Sequence, residues 1–199
     1  MQTRRAPHQP MTHDIDLETY RKLLAERDEE IRRLRAIMDS FVSVDLDSGM
    51  LNRNGLIEAI KRARLWWERR REPFGVMAIK FPDMIDLSPE VARELATPIA
   101  SALADTGRAV DDTGRLDPYT FVVVLREFQR QGAITVVSRM RTAIRQAIAD
   151  PAITGDLRFG FVVAVEGEGV GPEDYLRMAV EAAEAATPDV PKFSRVDLV

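Results

Sequence analysis

Leu17, Leu24, Ile31 and Met38 recur every seven residues, and Tyr20, Arg27, Leu34 and Phe41 recur at the same interval three places later. That stagger belongs to a helix whose narrow apolar seam faces a partner. It predicts a helix over residues 14–44, with Asp14 or Asp16 as its cap and one polar break in the seam at Arg27. Glu30 and Arg35 flank the seam, where they can pair across a parallel dimer. Two arrangements satisfy this pattern: a parallel coiled coil, or an amphipathic helix folded back on its own domain. The absence of Gly and Pro across the run favours the first.

Further along, the period changes. Residues 74–81 and 122–125 are nearly continuous apolar runs, as in strands buried on both faces. Residues 107–125 read as two short strands about a tight turn, with Asp117-Pro118 supplying the turn chemistry. Helical spacing returns at 53–71, through Leu56, Ile57 and Ile60, and at 90–105, where Pro98 is expected to bend or interrupt the helix. A long helix is expected over 129–149, with Ile134, Val137, Met140, Ile144 and Ile148 on one face and Asp150-Pro151 as its stop. A last helix is expected over 172–186 and a closing strand over 192–199. Residues 1–13 lack periodicity and are expected to be disordered. Residues 167–171 are expected to form a flexible loop, and no Gly-Lys pair follows them to make a phosphate cradle.

Composition narrows the function classes. The 199 residues suffice for one domain and an appendage, with 45% hydrophobic and 30% charged content. There are no cysteines, which excludes disulfides and thiolate metal sites. The two histidines, His8 and His13, precede the domain, so no metal site and no His-based catalysis is expected within it. No run is long enough to span a membrane and no secretory signal opens the chain, so a cytoplasmic protein is expected. Residues 1–71 carry 15 Lys/Arg against 12 Asp/Glu, and the remainder 13 against 20. That polarity is too mild to predict nucleic-acid binding. Trp66-Trp67 followed by Arg69, Arg70 and Arg71 could stack a base, but without a second basic stripe the arginines read as complements to a helix dipole.

Two motifs lie in register. Residues 45–53 read Asp45-Leu46-Asp47-Ser48-Gly49-Met50-Leu51-Asn52-Arg53, in which Gly49 permits a sharp turn and Asn52 can cap the next helix. Farther on, Arg108-Ala109-Val110-Asp111 precedes Arg115-Leu116-Asp117-Pro118-Tyr119-Thr120-Phe121 and the valine run. The first resembles the D-x-L-T-G-L-x-N-R signature of the GGDEF family, the diguanylate cyclase domains. The second resembles that family's R-x-x-D and R-x-G-G-D/E-E-F hairpin, with both glycines and both acidic residues of the turn replaced. Residues 157–164 and 172–186 resemble the family's V-T-V-S-I-G-V-A strand and its last helix, with Tyr175, Ala179, Ala182 and Ala183 as packing positions. The resemblance covers about residues 45–199. It implies an α+β fold of the cyclase palm type: a central, mostly antiparallel sheet flanked by helices, behind a dimerising helix. The expected division is a disordered 1–13, a coiled coil over 14–44 and a degenerate GGDEF domain over 45–199.

The resemblance also implies that the chemistry is lost. A diguanylate cyclase joins two GTP molecules with divalent metal, which prefers carboxylate oxygens. Where the family places a strand-end carboxylate this chain has Lys80, followed by Pro82. Tyr119 and Thr120 stand at the acidic hairpin positions, Asp117 and Pro118 at the glycines, and Ser88 at the guanine-reading Asn. No enzymatic activity and no cofactor are expected. Lys80 either holds a phosphate as a point charge or is a surface lysine released from function.

Arg108 and Asp111 survive where the family carries its product-binding inhibitory site, with Arg115 on the same ribbon. A guanidinium can pair bidentately with guanine or phosphate and stack on a base, so these three are candidate ligands for cyclic di-GMP. The competing reading is that Asp111 and Arg115 brace the hairpin while Arg108 is a solvated surface residue. The expected role is a dimeric signalling adaptor for a partner protein, joined through Leu17, Tyr20, Leu24, Ile31, Leu34, Met38 and Phe41. A scaffold binding no nucleotide and a GTP sensor without turnover are the alternatives.

Overall fold

The run from Thr120 to Arg126 is the middle of the molecule's architecture. In the computed structural model, which describes residues 17–41, 43–164 and 169–194, this strand (β3) lies second from one edge of a five-stranded sheet of order β2-β3-β1-β4-β5. The other strands are β1 (Phe74–Lys80), β2 (Asp112–Asp117), β4 (Arg158–Val163) and β5 (Lys192–Phe193). Every pairing is antiparallel except that of β4 with β5.

Successive side chains of a strand point to opposite faces, and here both faces are covered. Met77, Ile79, Phe121, Val123, Leu125, Phe159 and Phe161 pack into a cluster with α3 (Pro89–Thr106) and α4 (Ala133–Ala147). Val76, Ala78, Val122, Val124 and Val162 pack into the opposite cluster with α2 (Arg53–Arg70) and α6 (Pro172–Glu184). Two-sided burial is why these strands read as continuous apolar runs rather than as alternation. A short helical turn, α5 (Pro151–Thr154), joins α4 to β4.

Local chemistry sets the element ends. The side chain of Asn52 accepts the Gly55 N–H and caps α2. Gly49 has φ +72°, the left-handed conformation that glycine adopts at little cost. Asp174 accepts from the Gly171 N–H at the start of α6, and its hydrogen bond from Arg177 holds its carboxyl below the usual range.

Several boundaries differ from expectation. The helix α1 (Leu17–Phe41) stops before Val44, which bridges to Leu51 in a turn closed by the Asp45 N–H to the Met50 carbonyl. Pro98 does not interrupt α3; Glu94, whose carbonyl loses a helical donor there, is exposed to water. The helix expected from residue 129 begins at Ala133, after a 3₁₀ turn over Arg130–Gly132. Its buried stripe is Ala133, Val137, Met140 and Ile144, and Ile134, one step out of phase, is 75% exposed. Ile148 is buried but lies past the helix end, at its C-cap. The closing strand is two residues long, and residues 195–199 lie outside the described residues. So do residues 1–13, Asp14, Asp16, Gly167 and Glu168.

The chain divides into two compact units at Met38/Asp39. In the first, Tyr20, Leu24, Ile31 and Leu34 are each about half exposed along the helix. The side chains of Leu17, Met38 and Phe41 lie outside the described residues. No helix among the described residues is long and apolar enough to cross a membrane.

Candidate functional site

The hairpin β2–β3 carries all the candidate residues of the second motif, but it carries them to different places. Its tight end holds Asp117, Pro118, Tyr119 and Thr120; its open end begins at Asp111 and finishes at Arg126. Because a strand of six residues spans roughly 20 Å, the two ends cannot belong to one small-molecule site.

At the tight end the backbone is closed by protein contacts. Asp117 accepts the Tyr119 N–H at 2.9 Å, an Asx turn, and the Phe81 N–H donates to the Tyr119 carbonyl at 3.0 Å. Tyr119 packs against the core, and Thr120 is buried with its hydroxyl unpaired among the described residues. Lys80 lies between Thr120 and Arg158 across the three central strands. Its ammonium meets Glu184 of α6 at 2.6 Å, and its side chain is 20% exposed. The neighbouring Arg158 is paired with Asp156, whose hydrogen bond raises the guanidinium pKa further. Pro82 opens a 3₁₀ turn, and Ser88 accepts the Val91 N–H as the cap of α3. Among the described residues no three His, Cys, Asp or Glu side chains gather as a metal set.

The open end is a cavity of about 340 Å³, within the range of small-molecule sites, lined by Arg108, Asp111, Arg126, Glu127, Gln129 and Arg139 among others. Arg108 and Arg139 have no ion-pair partner among the described residues, and both are exposed. Asp111 accepts the Arg108 N–H with one oxygen and the Arg126 N–H with the other, each at 3.0 Å. It therefore fixes the loop that presents Arg108 and ties it to the end of β3. Arg126 is half-buried and bound to Asp112 at 3.2 Å. Glu127 sits at φ +48°, where a non-glycine residue is uncommon.

Arg115 does not join this cavity. It is 5% exposed and points inward, with Nη1 3.4 Å from both Asp45 and Asp47 and Nη2 3.4 Å from the Ala92 carbonyl. Its guanidinium lies over the Phe121 ring. A guanidinium so enclosed is spent on the protein, and the grouping of Arg115 with Arg108 and Asp111 is corrected accordingly. Arg115 ties the first motif to the second.

Of the cavity's lining only Arg108 and Asp111 were legible in the sequence, and its other two arginines were not. Arg126 could have been found by counting hairpin register back from the turn, which sets the end of β3 beside the start of β2. Arg139 comes from a helix 28 residues beyond Asp111, and no local pattern marks it.

No family model matches the sequence, and no curated protein matches it. Solved structures do. The diguanylate cyclase SiaD of Pseudomonas aeruginosa, in complex with its activator SiaC, superposes with a TM-score of 0.62 at 17% identity, covering 89% of this chain and 71% of that one. The FimX GGDEF domain of Pseudomonas aeruginosa gives 0.62 at 16%, over 76% and 98%. The coiled coil and GGDEF domain of DgcB from Caulobacter crescentus, in complex with c-di-GMP, gives 0.60 at 14%, over 84% and 93%. The fold is that of GGDEF domains.

Proposed function

From that fold we propose that this chain is a catalytically inactive GGDEF-type signalling protein, a cytoplasmic dimeric adaptor that receives cyclic di-GMP at the open end of the β2–β3 hairpin. The observation that carries the reading is the cavity itself, with two unpaired guanidiniums, Arg108 and Arg139, facing it from different elements. Two separated arginines suit a ligand with two phosphates and two purines, since each can pair with an anionic oxygen or a guanine edge. Asp111 would position Arg108 and, through lone pairs left after its two backbone bonds, accept from a base N–H.

Inactivity is supported at the other end of the hairpin. Lys80 and Arg158 stand side by side on the sheet and each engages a carboxylate, Glu184 and Asp156, where a cyclase needs carboxylates for a divalent ion. The pairing of Lys80 with Glu184 also weighs against a GTP sensor built on Lys80. The scaffold reading draws on the bracing role of Asp111, and the same titration separates it.

The test is isothermal titration of cyclic di-GMP into the purified chain, with Arg108→Ala and Arg139→Ala alongside. Micromolar or tighter binding is expected, weakened about tenfold or more by either substitution, which corresponds to about 1.4 kcal/mol. No heat with any of the three proteins would sink the receptor reading and leave the scaffold.

A further inference from the structure

On the other side of Arg126 and Glu127 lies a second cavity, about 290 Å³, with a different character. Ala63 and Phe74, each 1% exposed, form its floor, and Trp66, Pro73 and Val110 form its walls. The backbone there offers little to a polar ligand. Pro73 has no N–H, its carbonyl accepts from the Phe128 N–H, and the Phe74 carbonyl accepts from the Ala164 N–H. Trp66 is 47% exposed, and the guanidinium of Arg70 lies 4.3 Å from its ring centroid, a contact that fixes the indole as a standing wall.

The charges at its mouth cancel. Arg62 and Arg126 share Asp112, at 3.3 and 3.2 Å, and Glu72 lies 3.8 Å from Arg70. Glu127, exposed and without an ion-pair partner among the described residues, offsets the surplus guanidinium of the Asp112 group. Three guanidiniums thus stand against three carboxylates, and the rim selects neither an anion nor a cation. A charged group drawn into the slot would give up hydration without a net countercharge. Size narrows the ligand further. An apolar cavity of about 150 Å³ holds one benzene ring, so this one suits two fused rings. Trp66 and Phe74 present aromatic surface, against which a flat ring gains contacts beyond its buried area.

We propose that this slot is a second small-molecule site of the domain, and that it takes a neutral, flat, two-ring aromatic compound. It stands back to back with the first cavity: Arg126 and Glu127 line both, and Val110 belongs to the loop that carries Arg108 and Asp111 into the other. An aromatic side chain of a partner protein fits less well. It would bring peptide groups to a rim whose guanidiniums and carboxylates are largely paired with one another. Nothing in the proposal depends on nucleotide binding at Arg108.

The experiment titrates indole, indoleacetate and tryptamine, which share one ring system and differ in charge, into the isotope-labelled full chain. Binding is followed by nuclear magnetic resonance at the backbone amides of Ala63 and Phe74. N-acetyltryptophanamide stands in for the side chain of a protein partner. Indole is expected to saturate with a Kd below about 1 mM, within reach of a ligand of its size. The other three should bind about fivefold or more weakly. Trp66→Ala and Val110→Ser, both at exposed positions, should each weaken indole about fivefold or more, with the amide spectrum confirming that the variants are folded. Arg69→Ala, which lines only the neighbouring hollow with Leu65 and Arg70, should leave it unchanged. The absence of a saturable shift overturns the proposal, as does indole binding that neither wall substitution weakens. Equal or tighter binding of either ion overturns the neutral ligand. Tighter binding of N-acetyltryptophanamide overturns it in favour of a protein anchor, and a loss in Arg69→Ala equal to that in Trp66→Ala moves the ligand to the hollow and overturns the slot.

Discussion

Arg115 is the one charged side chain buried among the described residues, and the reason is geometric. Its two amino groups answer Asp45, Asp47 and the Ala92 carbonyl, while its Nε is buried without a partner among the described residues. Truncating it removes the cation facing Asp45 and Asp47 and the extra donor to the Ala92 carbonyl, and deletes the packing on Phe121. Because Asp45 and Asp47 keep some contact with water, the loss should fall short of a fully buried pair. Arg115→Ala is expected to destabilise the domain by about 2–3 kcal/mol, read as a lower midpoint in urea at unchanged slope. A loss under about 0.5 kcal/mol would show that the strut is a surface ion pair in effect. The same residue illustrates what a motif match conceals. Arg115 stands four residues from Asp111 in sequence, yet the pleat and a local register shift between Arg115 and Asp117 turn it into the core.

At the scale of elements, the closest packing in the fold is α6 on β4. A Cβ added to Gly160 would come within 2.0 Å of the Ala183 nitrogen and 2.4 Å of the Ala179 carbonyl oxygen, both backbone atoms that cannot swing aside. The small side chains Ala179, Ala182 and Ala183 on the helix allow this approach, and all three are buried. Gly160→Ala must therefore push the helix off the sheet. It is expected to cost about 3 kcal/mol or more and to lower the thermal midpoint sharply in a calorimetric scan. A change within about 0.5 kcal/mol would mean that the helix shifts freely. Such a shift would also loosen Glu184, at the end of α6, from Lys80 of β1, which pairs with β4 in the same sheet.

At the scale of the whole molecule, the question is what the exposed seam of α1 is for. Tyr20, Leu24, Ile31 and Leu34 repeat with the heptad and are each about half exposed in a single chain, as coiled-coil seam positions are before a partner covers them. Light scattering on the purified protein is expected to give twice the 22.4 kDa chain mass, and Leu24→Asp combined with Ile31→Asp should return it to the monomer value. A monomeric parent protein would remove the dimer from the proposed function.

The spacing of apolar residues marked α1, α2, α4, β1 and β3, because burial on one or both faces of an element is written directly into that spacing, whereas β4, α6 and β5 were legible only through the family resemblance. The seam of α1, the buried β1 and β3, the Asn52 cap and the Asx turn at Asp117 are all local facts of this kind. The candidate sites are not local. Lys80 acquired Glu184 from a residue 104 positions away, Arg115 acquired its carboxylates from the preceding motif, and Arg108 acquired Arg139 from a helix beyond the hairpin. On α4 the expected face keeps Val137, Met140 and Ile144, but Ala133 rather than Ile134 opens it, and Ile134 is exposed. Whether a given cation is free to meet a ligand depends on which carboxylate the fold brings within about 3 Å of it. That pairing exists only once the sheet has closed and the helices have docked.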